Sequence, residues 1–240
     1  RADYIHLDVM DGQFVPNKTF DHTKIKELRP LTLIPFDAHL MIDEPVKHVH
    51  DYVDAGSDII TVHAEVCDES SFGEICDVLH SNEVGIGLAI NPDTELPQWC
   101  YKFVELLDQV IIMSVVPGKS GQKFIESTHE KTRRVTKDLR EHKFEGYVES
   151  DGGVNLENIG ACFEDGARAF VGGSAIIGQN DVRMIIKEFR NQVLESRRRL
   201  LIKKAHDLGG TELVNSWIDL HVVGEKKDKL VQIAKELGFQ

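Results

Sequence analysis

Residues 4–12, Tyr-Ile-His-Leu-Asp-Val-Met-Asp-Gly, alternate with a period of two, so His6, Asp8 and Met10 share one side of an extended chain and Ile5, Leu7 and Val9 the other. The second side is wholly apolar, which predicts a strand buried under helices. Residues 35–42 repeat the pattern, with Phe36, Ala38 and Leu40 opposite Asp37, His39 and Met41. Residues 59–65 repeat it again, with Thr61, His63 and Glu65 on the polar side. Further strands are expected at 84–90, 110–115, 147–151 and 169–176, the last interrupted by Gly172-Gly173-Ser174. Between them the apolar positions change to a helical period at 46–55, 71–81, 96–107, 126–142 and 155–165, after a short helix through Ile25 and Leu28 that Pro30 ends. Gly56, Asn91-Pro92-Asp93 and the glycine-bearing loop 117–122 are the punctuation.

Strands alternating with helices are the signature of repeated parallel β-α units and place the chain in the α/β class. A TIM (β/α)8 barrel needs eight such units and seven are visible, the first almost at Arg1. The expectation is a barrel whose first β/α unit is missing from the N-terminus or supplied from elsewhere. The barrel domain is expected over 1–200, with a helix at 181–205, and 201–240 is expected to be a C-terminal extension. A strand at 217–223 and a helix at 227–237, beyond the break at Gly209-Gly210, would fill or cover the gap.

A formal net charge of -12 argues against a general nucleic-acid binder, which needs clustered Lys and Arg, but leaves room for small anions held by backbone amides. Cys67, Cys76, Cys100 and Cys162 are scattered without a paired spacing, which suggests a reducing, cytoplasmic setting. No apolar run has the length of a membrane span, and the opening residues show no signal-peptide pattern.

In such a barrel, polar residues at the C-terminal ends of strands face a common mouth. His6, Asp8, His39 and Asp151 meet that description and make a plausible ligand set for one divalent ion: zinc, iron, manganese or cobalt. Taken singly, each fits a satisfied core histidine or a turn aspartate equally well. Asp8 and Asp151 also suit acid-base work from opposite sides of a carbon. Gly152-Gly153 and Gly172-Gly173-Ser174 follow the last two strands, where barrels of this type bind phosphate. Met10, Met41 and Met113 lie on inward faces and would line the pocket over the reacting carbons, although core packing is the default for methionine.

These residues resemble a known family. His-Leu-Asp-Val-Met-Asp-Gly-Gln-Phe-Val-Pro-Asn at 6–17, Ala-His-Leu-Met at 38–41, Gly-Leu-Ala-Ile-Asn-Pro-Asp-Thr at 87–94, Met-Ser-Val-Val-Pro-Gly-Lys-Ser-Gly-Gln at 113–122, Asp-Gly-Gly-Val-Asn at 151–155 and Gly-Gly-Ser-Ala-Ile at 172–176 look like ribulose-phosphate 3-epimerase. The resemblance implies a TIM barrel that interconverts D-ribulose 5-phosphate and D-xylulose 5-phosphate in the pentose phosphate pathway, and a homo-oligomer. It places metal ligands at His6, Asp8, His39 and Asp151, and the acid-base pair at Asp8 and Asp151. Phosphate and substrate contacts fall on His39, Gly118, Lys119, Ser120, Gly121, Gly152, Gly153, Gly173 and Ser174. The family's loop usually reads Asn-Pro-Gly-Phe-Gly-Gly-Gln; here Lys119 replaces the aromatic residue and Ser120 a glycine. The alternatives are the same chemistry on another phosphoketose such as allulose 6-phosphate, or a catalytically impaired barrel that binds a sugar phosphate.

Overall fold

The computed structural model describes residues 1–207. The strand and helix expected at 217–223 and 227–237, and the idea that they cover a gap, lie outside the described residues. Among the described residues seven strands form one sheet: β1 (Ile5–Met10), β2 (Phe36–Met41), β3 (Ile59–His63), β4 (Gly85–Ile90), β5 (Gln109–Met113), β6 (Tyr147–Asp151) and β7 (Ala169–Val171). Every neighbour is parallel, and the order across the sheet is the order along the chain.

The sheet is curled. In a flat sheet β2 and β5 would stand about 14 Å apart, three strand spacings, yet Gln109 Nε2 on β5 donates to Asp37 Oδ1 on β2 at 2.8 Å. Likewise His6 on β1 comes within 3.7 Å of Asp151 on β6. The inner faces of opposed strands therefore touch, and the alternation read from the sequence decides what they carry there.

Helices α1 (His22–Leu28), α2 (Val49–Asp54), α3 (Glu69–Ser81), α4 (Thr128–Glu141), α5 (Ile159–Asp165), α6 (Ser174–Ile177) and α7 (Val182–Asp207) connect the strands or follow them. In α3, Phe72, Ile75, Cys76 and Leu79 recur at helical spacing and are buried, while Asp68 and Ser71 exchange the bonds of a capping box at its start. The outward residues Leu7, Val9, Phe36, Leu40, Ile60, Val62, Leu88, Val110 and Ile112 form one apolar layer with the helices. Burying that layer is what holds the curved sheet together.

Several boundaries differ from expectation. The helix expected at 96–107 is a short 3₁₀ turn, Gln98–Lys102, because Pro97 fixes its entry and Trp99 and Phe103 both pack on Phe72. The last strand ends at Val171 rather than 176; at Gly172-Gly173 the chain turns, and Ser174–Ile177 is helical. The strand at 59–65 stops at His63, and Glu65 sits in a 3₁₀ turn. Helix α5 begins at Ile159, four residues late, since the Asn155 side chain accepts from the Glu157 amide and forms a turn instead. Helix α7, expected at 181–205, runs from Val182 to Asp207.

Gly87 shows how tightly the interior is filled. A Cβ there would lie 1.9 Å from Thr61 Oγ1 and 3.0 Å from Gln109 Cγ. Gly87→Ala is expected to destabilise the fold by about 3 kcal/mol, the upper end for overpacking. Urea unfolding checks it; an unchanged midpoint would contradict the packing described.

Candidate metal and phosphate site

The alternation of β1 and β2 sends His6, Asp8 and His39 inward together, and the pairing of Asp8 with His39 sets them side by side. Asp151, the last residue of β6, arrives from across the curl. One ligand atom from each of the four lies within 4.8 Å of the others. His6 Nε2 is 3.4 Å from Asp8 Oδ1 and 3.7 Å from Asp151 Oδ2. His39 Nδ1 is 3.3 Å from Asp8 Oδ1, 3.4 Å from Asp151 Oδ2 and 3.3 Å from His6 Nε2. An ion about 2.1 Å from each of four tetrahedral donors would hold them about 3.4 Å apart. The donor set therefore fits a divalent transition ion in both chemistry and spacing.

The electrostatics point the same way. Burial disfavours charge on both imidazoles, yet the neighbouring carboxylates win: Asp151 and Asp8 raise His39 to about 9, and Asp37 above all raises His6 well above its ordinary value. Burial would also keep Asp8 and Asp151 neutral, but hydrogen bonds from His39 and His6 hold both below the usual carboxylate range. Two anions and two imidazolium protons thus share one spot. A doubly charged ion replacing two protons leaves the net charge unchanged.

Behind each imidazole stands a second row of groups. His6 Nδ1 donates to Asp37 Oδ2 at 2.8 Å; Gln109, which bonds Asp37, accepts from the Tyr147 hydroxyl at 2.8 Å and donates to Thr61 Oγ1 at 2.6 Å. His39 Nε2 is 2.8 Å from His63 Nε2, and His63 Nδ1 is 3.0 Å from Glu65 Oε2. The other oxygen of Glu65 accepts from the Asn91 amide at 2.7 Å. Burial lowers His63, so it is neutral; Glu65, despite its own burial, is held at about 2 by bonds from His63, Thr94 and Asn91. Burial, then the charge of Asp37, pushes Glu149 up to about 8, and its Oε1 has no hydrogen-bond partner among the described residues.

Above this floor opens a cavity of about 700 Å³. Asp8 and Asp151 lie at its base with Met10, Met41 and Met113, and its wall carries Gly118, Lys119, Ser120, Gly121, Gly152, Gly153, Gly173 and Ser174. All the residues expected at the mouth are thereby brought to one place, with His6 and His39 beneath it. At Gly153, with φ +65°, a Cβ would stand 2.5 Å from the Phe124 amide nitrogen. Glycine there lets the loop at 122–124 close against the turn after β6. Asp37, His63 and Glu65 were visible on polar strand faces without a role, and Gln109, Tyr147 and Glu149 were not singled out at all. Alternation alone carried the signal for them.

The architecture is shared with a solved structure of 3-hexulose-6-phosphate synthase, which superposes with a TM-score of 0.58 at 18% identity, over 79% of this chain and 86% of that one. At that identity the likeness is one of fold alone. In sequence, residues 1–177 match the ribulose-phosphate 3 epimerase family, and the chain belongs to it. Ribulose-phosphate 3-epimerase of Bacillus subtilis is 40% identical over 79% of this chain and 86% of its own length. The Escherichia coli enzyme of the same name is 38% identical over 80% and 84%. No helix among the described residues is long and apolar enough to cross a membrane.

Proposed function

We propose that the protein epimerises C3 of D-ribulose 5-phosphate to give D-xylulose 5-phosphate, within a (β/α)8 barrel architecture. One observation carries the reading: Asp8 and Asp151, from strands on opposite sides of the curl, flank the same imidazole pair at the base of one cavity. The ionised carboxylate takes the C3 proton from one face of the sugar, and the other, which must enter the turnover protonated, gives its proton to the opposite face, so the pair carries one proton before and after. Their roles exchange with the direction of the reaction. A divalent ion held by His6, Asp8, His39 and Asp151 would supply positive charge to the oxygens that become anionic as the C3 proton leaves. Met10, Met41 and Met113 line the cavity beside the two carboxylates and keep bulk water from the reacting carbons, so protons reach C3 by way of the carboxylates. The glycines at 118, 121, 152, 153 and 173, with Ser174 and the Lys119 cation, receive the phosphate and set the distance from it to the carboxylates.

An enzyme-coupled assay for xylulose 5-phosphate on the metal-loaded protein tests this; no product from D-ribulose 5-phosphate would overturn it. The ion also has a pH signature. His39 and His6 carry protons in the metal-free site, raised to about 9 in the case of His39, and both must leave for their nitrogens to become ligands. Zinc affinity is therefore expected to weaken as pH falls through about 9, where His39 takes up its proton. Calorimetric titration in buffers of different ionisation enthalpy should register protons released on binding; none released at pH 7 would contradict the charge balance described.

A further inference from the structure

The two imidazoles face the centre through different nitrogens, His6 through Nε2 and His39 through Nδ1. A neutral histidine offers a lone pair on only one nitrogen, and the partner of the other nitrogen decides which. For His6 that partner is Asp37, an acceptor, so Nδ1 keeps the proton and Nε2 is free. For His39 it is another imidazole, His63, which accepts or donates equally well. What breaks the tie lies one residue further out. An ionised Glu65 only accepts, so His63 must give it the Nδ1 proton across 3.0 Å. That leaves a lone pair on His63 Nε2, to which His39 Nε2 donates across 2.8 Å. With its second proton released for a metal ion, His39 Nδ1 would be bare and aimed at Asp8 and Asp151.

We propose that His63 and Glu65 are positioning residues that hold His39 in the tautomer offering Nδ1 to the metal ion. The fold builds the relay locally. His63 ends β3 opposite Ala89 of β4, and the 3₁₀ turn that follows returns the Glu65 carboxylate to both His63 and the Asn91 amide just past β4. Neither residue lines the cavity wall, so both act through His39. The inference rests on the metal reading above.

Glu65→Gln is the discriminating change, because it keeps shape and reverses direction. The Asn91 N–H, a donor 2.7 Å away, selects the amide oxygen of the new side chain. Its NH2 then faces His63 and donates, so His63 donates from Nε2 and His39 is left with its proton on Nδ1. His63→Gln keeps the direction, since its oxygen accepts from His39 while its NH2 donates to Glu65. His63→Leu removes the relay.

The test is zinc affinity, measured by competition with a chromophoric chelator, together with ¹⁵N NMR of histidine-labelled, zinc-loaded protein and a melting curve for each variant. The expected result is an affinity loss on the order of 10–100-fold in Glu65→Gln and His63→Leu, with His63→Gln close to the wild type. The wild-type spectrum is expected to show His39 protonated on Nε2 and metal-bound through Nδ1. Wild-type affinity and an unchanged His39 signal in Glu65→Gln would overturn the relay alone. Failure of the wild-type protein to take up zinc, cobalt, manganese or iron would overturn the metal reading, and this inference with it.

Discussion

Asp8→Asn and Asp151→Asn are each expected to lower conversion of D-ribulose 5-phosphate by at least 10²–10⁴-fold, roughly the contribution of one positioned acid or base. The two variants should nevertheless differ. Epimerisation needs a proton carrier on each face of C3, but exchange of the C3 proton with solvent needs only one. Each variant therefore retains slow exchange with one epimer and loses it with the other, and the preference inverts between them. The fold should survive both changes, because the apolar layer between strands and helices is untouched. Near-normal turnover in either variant, followed by the coupled assay, would remove the acid-base assignment. The same exchange preference in both would show that the carboxylates do not serve opposite faces.

Gly153→Ala should act on the other end of the substrate. A Cβ there meets the Phe124 backbone, its nitrogen at 2.5 Å and its Cα at 2.9 Å, in a residue whose φ is +65°. Backbone cannot rotate aside as a side chain can, so the loop at 122–124 must move away from the turn after β6. Strain of this kind amounts to about 1–3 kcal/mol. Where phosphate contacts disappear with it, KM for the sugar phosphate should rise on the order of 10–100-fold. Inhibition by inorganic phosphate should weaken in parallel, while kcat falls less. Gly173→Ala is the contrast in packing: its φ is -75° and nothing among the described residues lies within 4 Å of the added carbon, so a small effect on stability is expected. Equal KM values for Gly153→Ala and the wild type would mean that this turn does not shape the phosphate end.

Much of this arrangement was legible in the sequence because one rule, the period of two, governs both burial and aim. It sorted His6, Asp8, His39 and Asp151 to one face and the apolar layer to the other, and the curl of a parallel β-α sheet then brought them together. What was not legible depends on distances across the curl. The bond from Gln109 to Asp37 joins residues 72 apart in the chain, and no local pattern anticipates it. The His39-His63-Glu65 relay was half visible, since His63 and Glu65 were placed on the polar side of one strand. Glu65 lies instead in a 3₁₀ turn, and it is that turn which lets its carboxylate bond both His63 and Asn91. The strand expected at 169–176 and the helix expected at 96–107 are both shorter for a common reason: their apolar content suits regular structure, but Gly172-Gly173 and Pro97 set the backbone.

The central claim is proton transfer at C3 between two faces of a phosphorylated ketose. Proton NMR of D-ribulose 5-phosphate in deuterated water, with the metal-loaded protein, follows product and isotope together. The account predicts xylulose 5-phosphate carrying deuterium at C3, with deuterium entering the remaining ribulose 5-phosphate at the same carbon as equilibrium is approached. An unchanged C3 proton signal and no xylulose 5-phosphate, under conditions where the protein binds the sugar phosphate, would contradict it.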